Sequence, residues 1–487
     1  MRITKKFNTK IFLFLLGLVI TFIGFCFIPS SIISFLYNEP NPFPFLFSII
    51  ISLSLGLSLL IKNKNYPSNL SKRDGRIIVG LIWIVSPFVG ALPYLFSPNL
   101  FTIENALFES FSGFTTTGSS VIKNIEEMPK SILLWRAITQ WIGGLGFLLF
   151  VILFMKNLKN GSNFLFNAEF TSIDKEKVHP HIRSTVIRIF YVYFGLTGFI
   201  FILLLFGSMD VFTAFYHSAG VISTGGFSTL SNNIGGFSAY NQYVIMLGMF
   251  LAGISYIIIY RLFKRKFKKV YRDEQFRIYI LIMLISSIIL FTSVYSKIDG
   301  DLELKIRTVL FNIISVVSTT GYEINTQESF GNLAIVLLII LMFIGGSSAS
   351  SSTGLKIIRF IILAKFANVS FKRIFHSRAV IPVRYNKRSL NDEAINLVFG
   401  FFFLYLLIFL FGAFLLTVFG NEFLSSITLS AANISNIGPV IGIVSPDVYY
   451  YNLNTESKIT LMILMMVGRL EIYSFFILFS RSLWLKN

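Results

Sequence analysis

The chain has 487 residues, 54% of them hydrophobic and only 13% charged, with a mean hydropathy of +0.73. That excludes an ordinary soluble protein, of which about a quarter would be charged. The formal net charge of +19 would point to nucleic acid in a soluble chain, but here the basic residues collect in alternate connections between apolar runs, the pattern of cytoplasmic loops.

Those basic groups are Lys5, Lys6 and Lys10; then Lys62, Lys64, Lys72, Arg73 and Arg76; then residues 261–277; then residues 356–388. They place the N-terminus in the cytoplasm. The single cysteine, Cys26, cannot build an internal disulfide framework, and the four histidines form no metal-binding signature.

In chain order, residues 11–36 are too long and too persistently apolar for an ordinary cleavable signal. They also lack a small-residue cleavage site before Tyr37, so a retained helix is expected. A second crossing follows at 43–61. The remainder repeats one layout four times: an apolar span, a short semi-polar segment ending near a glycine, and another apolar span. The expected spans are 77–96 and 132–154, 189–206 and 243–260, 276–294 and 333–362, and 397–419 and 459–483. Between each pair a short amphipathic pore helix is expected. The turning points are Thr115-Thr116-Thr117-Gly118, Ser223-Thr224-Gly225-Gly226, Ser318-Thr319-Thr320-Gly321 and Asn436-Ile437-Gly438-Pro439. With Gly118, Gly225, Gly321 and Gly438 as anchors, the interval is roughly a hundred residues, a repeat period that signals architecture.

The expected fold is therefore an all-α polytopic membrane protein. Residues 1–70 hold two additional N-terminal transmembrane helices. Pore repeats follow at 71–160, 185–262, 273–365 and 392–487, the third with an interrupted second helix. Non-helical backbone at membrane depth is tolerated only where protein or a watery cavity surrounds it. Four such loops around one axis can point carbonyls inward and replace part of a cation's hydration shell. Glycine permits the required backbone angles, and the pore-helix dipoles favour a cation. Glu104, Glu109, Asp210, Glu303 and Glu422 lie near the pore-helix starts, where either a negative outer vestibule or helix capping accounts for them.

Two further stretches interrupt apolar spans. Residues 345–354, G-G-S-S-A-S-S-S-T-G, read as a broken helix, with Gly345, Gly346 and Gly354 as the flexible points. Arg469 sits within an apolar span, where an unpaired charge is costly. It is expected to face a cavity or to donate to carbonyls of another segment. Glu471, two residues on, faces elsewhere on a regular helix. His179, His181 and His376 fall in cytoplasmic loops, and His217 precedes the second turning point as a helix or vestibule residue. No nucleotide-binding loop and no convergent catalytic set occur, so an enzyme is not expected.

The turning points Thr116-Thr117-Gly118, Thr224-Gly225-Gly226, Thr319-Thr320-Gly321 and Asn436-Ile437-Gly438 resemble the filter loops of the TrkH/TrkG/KtrB superfamily of potassium transporters. The resemblance runs from about residue 77 to residue 483, and the two preceding spans make it nearer the TrkH/TrkG branch. It implies four linked membrane-pore-membrane repeats around a pseudo-fourfold potassium pathway in the bacterial cytoplasmic membrane. It also implies a homodimer, a cytoplasmic nucleotide-binding regulatory subunit, no cofactor in this chain, and K+ as the transported ion. The implied filter residues are Thr116, Thr117, Gly118, Thr224, Gly225, Thr320, Gly321, Asn436, Ile437 and Gly438. The fourth loop departs from the Thr/Ser-rich pattern, which predicts a less regular carbonyl geometry there. Residues 345–354 resemble the family's gating loop and Gly468-Arg469-Leu470-Glu471 its G-R-L-E motif, implying a gate of Gly345, Gly346, Gly354 and Arg469. The other reading of Gly-interrupted helices is a cation-coupled secondary transporter using alternating access.

Overall fold

The computed structural model describes residues 8–65, 72–146, 182–298, 300–324, 330–376, 378–438, 450–470 and 472–479. Lys5, Lys6, His179, His181, Pro439, Glu471 and the ends of the spans expected at 132–154 and 459–483 lie outside them. Among the described residues the chain is helical apart from one two-stranded antiparallel hairpin, which pairs Arg384 with Ser389 and Tyr385 with Arg388. Six helices there are long and apolar enough to cross a bilayer, or seven if one bent pair counts as a single crossing.

The N-terminal helices, Thr9–Cys26 continued by Ile28–Leu36 and then Phe43–Lys62, pack on each other through small residues. A Cβ on Gly17 or Gly56 would press into the facing backbone, so these glycines permit the close approach. Two contacts tie this N-terminal helix pair to helix Lys130–Leu145 of the first repeat. The Phe27 ring lies 4.4 Å from that of Trp135. Glu39 accepts from the Ser131 N–H (2.8 Å) and from its hydroxyl, capping the start of helix Lys130–Leu145.

The four short helices are Ile103–Phe114, Val211–Ile222, Leu302–Val317 and Phe423–Ile434. At 12 residues, or 16 for Leu302–Val317, they make only about 18–24 Å of helix, short of a roughly 30 Å hydrocarbon core. They therefore enter the membrane and turn back. Asp210 and Asp301 accept from the N–H groups of Thr213 and Leu304 and so act as N-caps.

Each short helix packs on its own unit and on the second helix of the unit before it. Val211–Ile222 meets Lys130–Leu145, Leu302–Val317 meets Ala239–Ala252, Phe423–Ile434 meets Asn332–Ile344, and Ile103–Phe114 meets Thr455–Arg469. The last contact joins unit four to unit one. The linear repeat thus closes into a ring, with its large exposed apolar side chains outside.

The second span of unit three breaks as expected, between Asn332–Ile344 and Ile357–Phe375. That of unit two, expected to run unbroken over 243–260, does not. Helices Ala239–Ala252 and Tyr256–Phe263 are bent by 105° at Gly253-Ile254-Ser255. The break persists because its free backbone groups find partners in the interruption of unit three.

Candidate ion pathway

All four short helices end in one local motif. The last residues, Thr115, Ser223, Ser318 and Ser435, keep right-handed helical angles. The next residues, Thr116, Thr224, Thr319 and Asn436, have φ between 51° and 60°. One residue later the backbone N–H reaches back five positions: Thr117 to Ser112 O (2.9 Å), Gly225 to Gly220 O (2.8 Å), Thr320 to Ser315 O (2.9 Å) and Ile437 to Ala432 O (2.9 Å). This is the Schellman helix end, with threonine or asparagine where glycine is usual. A left-handed threonine is strained by about 1–3 kcal/mol, and three of the four loops carry one.

The motif corrects the sequence register. The second positive-φ residue is Gly118, Gly226, Gly321 or Gly438, at φ 81–86°. The second anchor is therefore Gly226, and Gly225 takes the central position held elsewhere by Thr117, Thr320 and Ile437. The fourth loop is as regular as the others, contrary to expectation, because the motif depends on backbone bonds rather than hydroxyls.

The glycines also explain how the loops meet. A Cβ on Gly118 would collide with the carbonyl oxygen of Gly225, one on Gly226 with that of Thr320, and one on Gly438 with that of Thr117. Each of these three glycines thus lets a neighbouring loop's central carbonyl lie against its Cα, which sets the backbone oxygens of Gly225, Thr320 and Thr117 around one ring. The hydroxyls brace it: Thr115 with Thr117 and Ser318 with Thr320, both at 2.7 Å. Asn436 Nδ2 donates to Thr117 Oγ1 and to Met465 O, each at 2.9 Å.

Behind loops one and two lies a buried polar network that the sequence reading missed. Arg136 Nε donates to Glu109 Oε1 at 2.6 Å, with both side chains fully buried. The guanidinium also donates to Ser120 Oγ, Tyr216 OH and Ser228 O, and lies over the Phe227 ring at 4.0 Å. Glu109 accepts from Val121 N–H (3.1 Å). It is therefore no vestibule carboxylate but a support of the first loop. Gln140, one turn beyond Arg136, donates from Nε2 to Gly225 O at 2.6 Å. The available signal was two polar side chains four residues apart within an apolar helix. His217 is likewise buried in the second short helix, with Nε2 3.1 Å from Thr229 Oγ1.

Beneath the loops, residues 345–354 form an irregular plug in which Ser347, Ser348, Ser351 and Ser352 are buried and Ser350 is half-buried. Gly345, Ala349 and Gly354 have positive φ. Its backbone is held by the break in unit two, through Ser347 N–H to Gly253 O and Tyr256 N–H to Ala349 O, both 2.9 Å. Gln275 Nε2 donates to Ser348 Oγ (2.9 Å), and Tyr256 OH bonds Ser351 Oγ. Thr353 reaches up to the loops: its N–H donates to Thr319 Oγ1 (3.0 Å) and its hydroxyl to Ser435 O. Arg469 donates to Ser351 O (3.2 Å) and to Gly143 O, so its guanidinium sits on carbonyls of two other segments.

The helices leaving this region carry the basic residues. Phe267–Tyr271 exposes Lys268 and Lys269, and the preceding turn exposes Lys264, Arg265 and Lys266. Lys365, on the helix that follows the plug, bonds Glu274 at the start of unit three's first helix and donates to Arg384 O (2.9 Å). Asn386 accepts from Glu274 N–H (3.0 Å). The two basic connections therefore form one surface.

A family model described as TrkH, cation transport protein, matches residues 43–485. The Trk system potassium uptake protein TrkH of Escherichia coli K12 is 33% identical over 432 residues, covering 87% of this chain and 88% of that one. The Escherichia coli K12 protein TrkG is 30% identical over 476 residues, covering 96% of this chain and 97% of that one. The crystal structure of the potassium transporter TrkH from Vibrio parahaemolyticus superposes with a TM-score of 0.88 at 27% identity, covering 98% of this chain and all of that one.

Proposed function

We infer the function first from membership: the chain belongs to the TrkH family of cation transport proteins. It is a potassium-selective uptake subunit of a Trk-type system, a multi-pass protein of the bacterial cytoplasmic membrane and not an enzyme. The observation that carries this reading is the ring: four helix ends of one motif, with the central carbonyls of Gly225, Thr320 and Thr117 lying against Gly118, Gly226 and Gly438 of neighbouring loops.

A cation enters from outside and sheds water against the central carbonyls, whose number and field replace hydration. The filter is proposed to comprise Thr116, Thr117, Gly118, Thr224, Gly225, Thr320, Gly321, Asn436, Ile437 and Gly438, with Gly226 added as the second loop's true counterpart. Below it the ion meets the plug of residues 345–354. Gly345, Gly346 and Gly354 form the gate, and Arg469 holds it shut by bonding Ser351 O and by placing a positive charge in the path. The basic surface around Lys264, Lys268 and Lys365 is assigned to a cytoplasmic nucleotide-binding regulatory subunit, and two copies of the chain form a homodimer.

The test is reconstitution in liposomes under an imposed membrane potential, with no gradient of a second solute. Potassium-selective electrogenic flux, without or with the regulatory subunit, is expected. Flux that requires a second solute gradient would replace the pore with alternating access, and equal passage of sodium would remove the selectivity assignment.

A further inference from the structure

Gln140 occupies a place that no other loop has. In loops one and three the central residue is threonine, whose hydroxyl bonds the helix-end hydroxyl two residues earlier at 2.7 Å. In loop two the central residue is Gly225, and the Gln140 carboxamide fills the missing side chain's space; a Cβ on Gly225 would run into it. The φ of Gly225 is not left-handed, so conformation does not demand glycine there. What demands it is the room for Gln140.

The carboxamide does more than fill space. Its Nε2 donates to the Gly225 carbonyl at 2.6 Å, the carbonyl that lies against Gly118 in the ring. Gln140 is fully buried, and its Oε1 has no hydrogen-bond partner among the described residues. A buried orphan acceptor is costly. The reverse amide orientation would set Oε1 against the Gly225 oxygen, acceptor to acceptor, so the donor is held on the carbonyl at the expense of Oε1.

We propose that Gln140 is a specificity-determining residue, which tunes one carbonyl of the ring by hydrogen-bonding it from behind. This rests on the pore reading above. A carbonyl that shares its electron density with a donor presents a weaker field to the ion. Of two cations, the smaller is more costly to dehydrate and needs the stronger field to compensate. The bond therefore biases the ring toward the larger cation, potassium over sodium. Arg136, one turn earlier, is a positioning residue: its bonds to Glu109 and Ser228 O fix the helix that presents Gln140.

Two variants test this. Gln140→Met keeps the shape and removes the donor. Gln140→Ala with Gly225→Thr installs at loop two the threonine brace of loops one and three, also without a donor on the carbonyl. Reversal potentials of the reconstituted protein in potassium against sodium are the readout. In both variants the potassium-to-sodium permeability ratio is expected to fall about fivefold, the worth of one net hydrogen bond. An unchanged ratio in either assembled variant overturns the proposal, because shape or bracing would then suffice. The pore reading fails separately, if the unmodified protein passes no selective current.

Discussion

Gly253 and Ser347, from different repeats, are joined backbone to backbone: the Gly253 carbonyl accepts from the Ser347 N–H at 2.9 Å. With Tyr256 N–H on Ala349 O, this makes the bend of unit two the seat of the plug in unit three. Two interrupted helices satisfy each other, which is why neither needs to be regular at membrane depth. The helix beyond the bend, Tyr256–Phe263, leads straight to the exposed basic turn. A displacement there reaches the plug through two hydrogen bonds.

Removing the side-chain part of this seat should loosen the plug. Tyr256 OH bonds Ser351 Oγ and donates to Ile222 O (3.3 Å). Tyr256→Phe is expected to raise unstimulated rubidium flux in liposomes by about three- to tenfold, the effect of losing one or two net hydrogen bonds. Flux equal to the unmodified protein's would mean the backbone bonds alone hold the plug.

Arg469 should act in the same direction. Arg469→Ala loses the bonds to Ser351 O and Gly143 O, and a charge from the path. The expected outcome is higher open probability in planar bilayers, by about tenfold or more. Arg469→Lys keeps the charge without the fork, so it should fall between. Normal assembly with unchanged gating would leave Arg469 a purely structural residue.

The register of loop two can be read by paired substitutions. Gly226→Ala places a Cβ at φ 81° against the Thr320 carbonyl, where nothing can yield. Gly225→Ala meets a side chain, Gln140, at an ordinary φ. Gly226→Ala is expected to abolish selective flux, and Gly225→Ala to retain a measurable part of it. The opposite order in a flux assay would restore Gly225 as the anchor.

The Glu109–Arg136 pair should dominate stability around loop one. Removing one partner of a fully buried pair leaves an uncompensated charge, at a cost of about 3–5 kcal/mol. Glu109→Ala is therefore expected to lower the midpoint of thermal aggregation of the detergent-solubilised protein strongly. Glu109→Gln with Arg136→Met should lower it less, since no charge is stranded. Equal losses in single and double variants would show that the hydrogen bonds to Ser120 and Ser228, rather than the charge, carry the stability.

Legible in the residues were the crossings, their grouping into four repeats with two helices in front, the reading of 345–354 as a broken helix, and the need of the Arg469 charge for either a cavity or the carbonyls of another segment. Each of these follows from local composition: apolar length against bilayer thickness, small polar residues where helix should continue, a charge where lipid forbids one. Tertiary structure alone decided which of two adjacent glycines in Ser223-Thr224-Gly225-Gly226 anchors its loop. The choice depends on where a neighbouring carbonyl lies, a hundred residues away in the chain. It also decided that Glu109 faces Arg136 rather than the vestibule, and that Gly253-Ile254-Ser255, one glycine in an apolar run, bends by 105°. A backbone break in the membrane survives only when another segment supplies its hydrogen bonds, and that partner belongs to a different repeat.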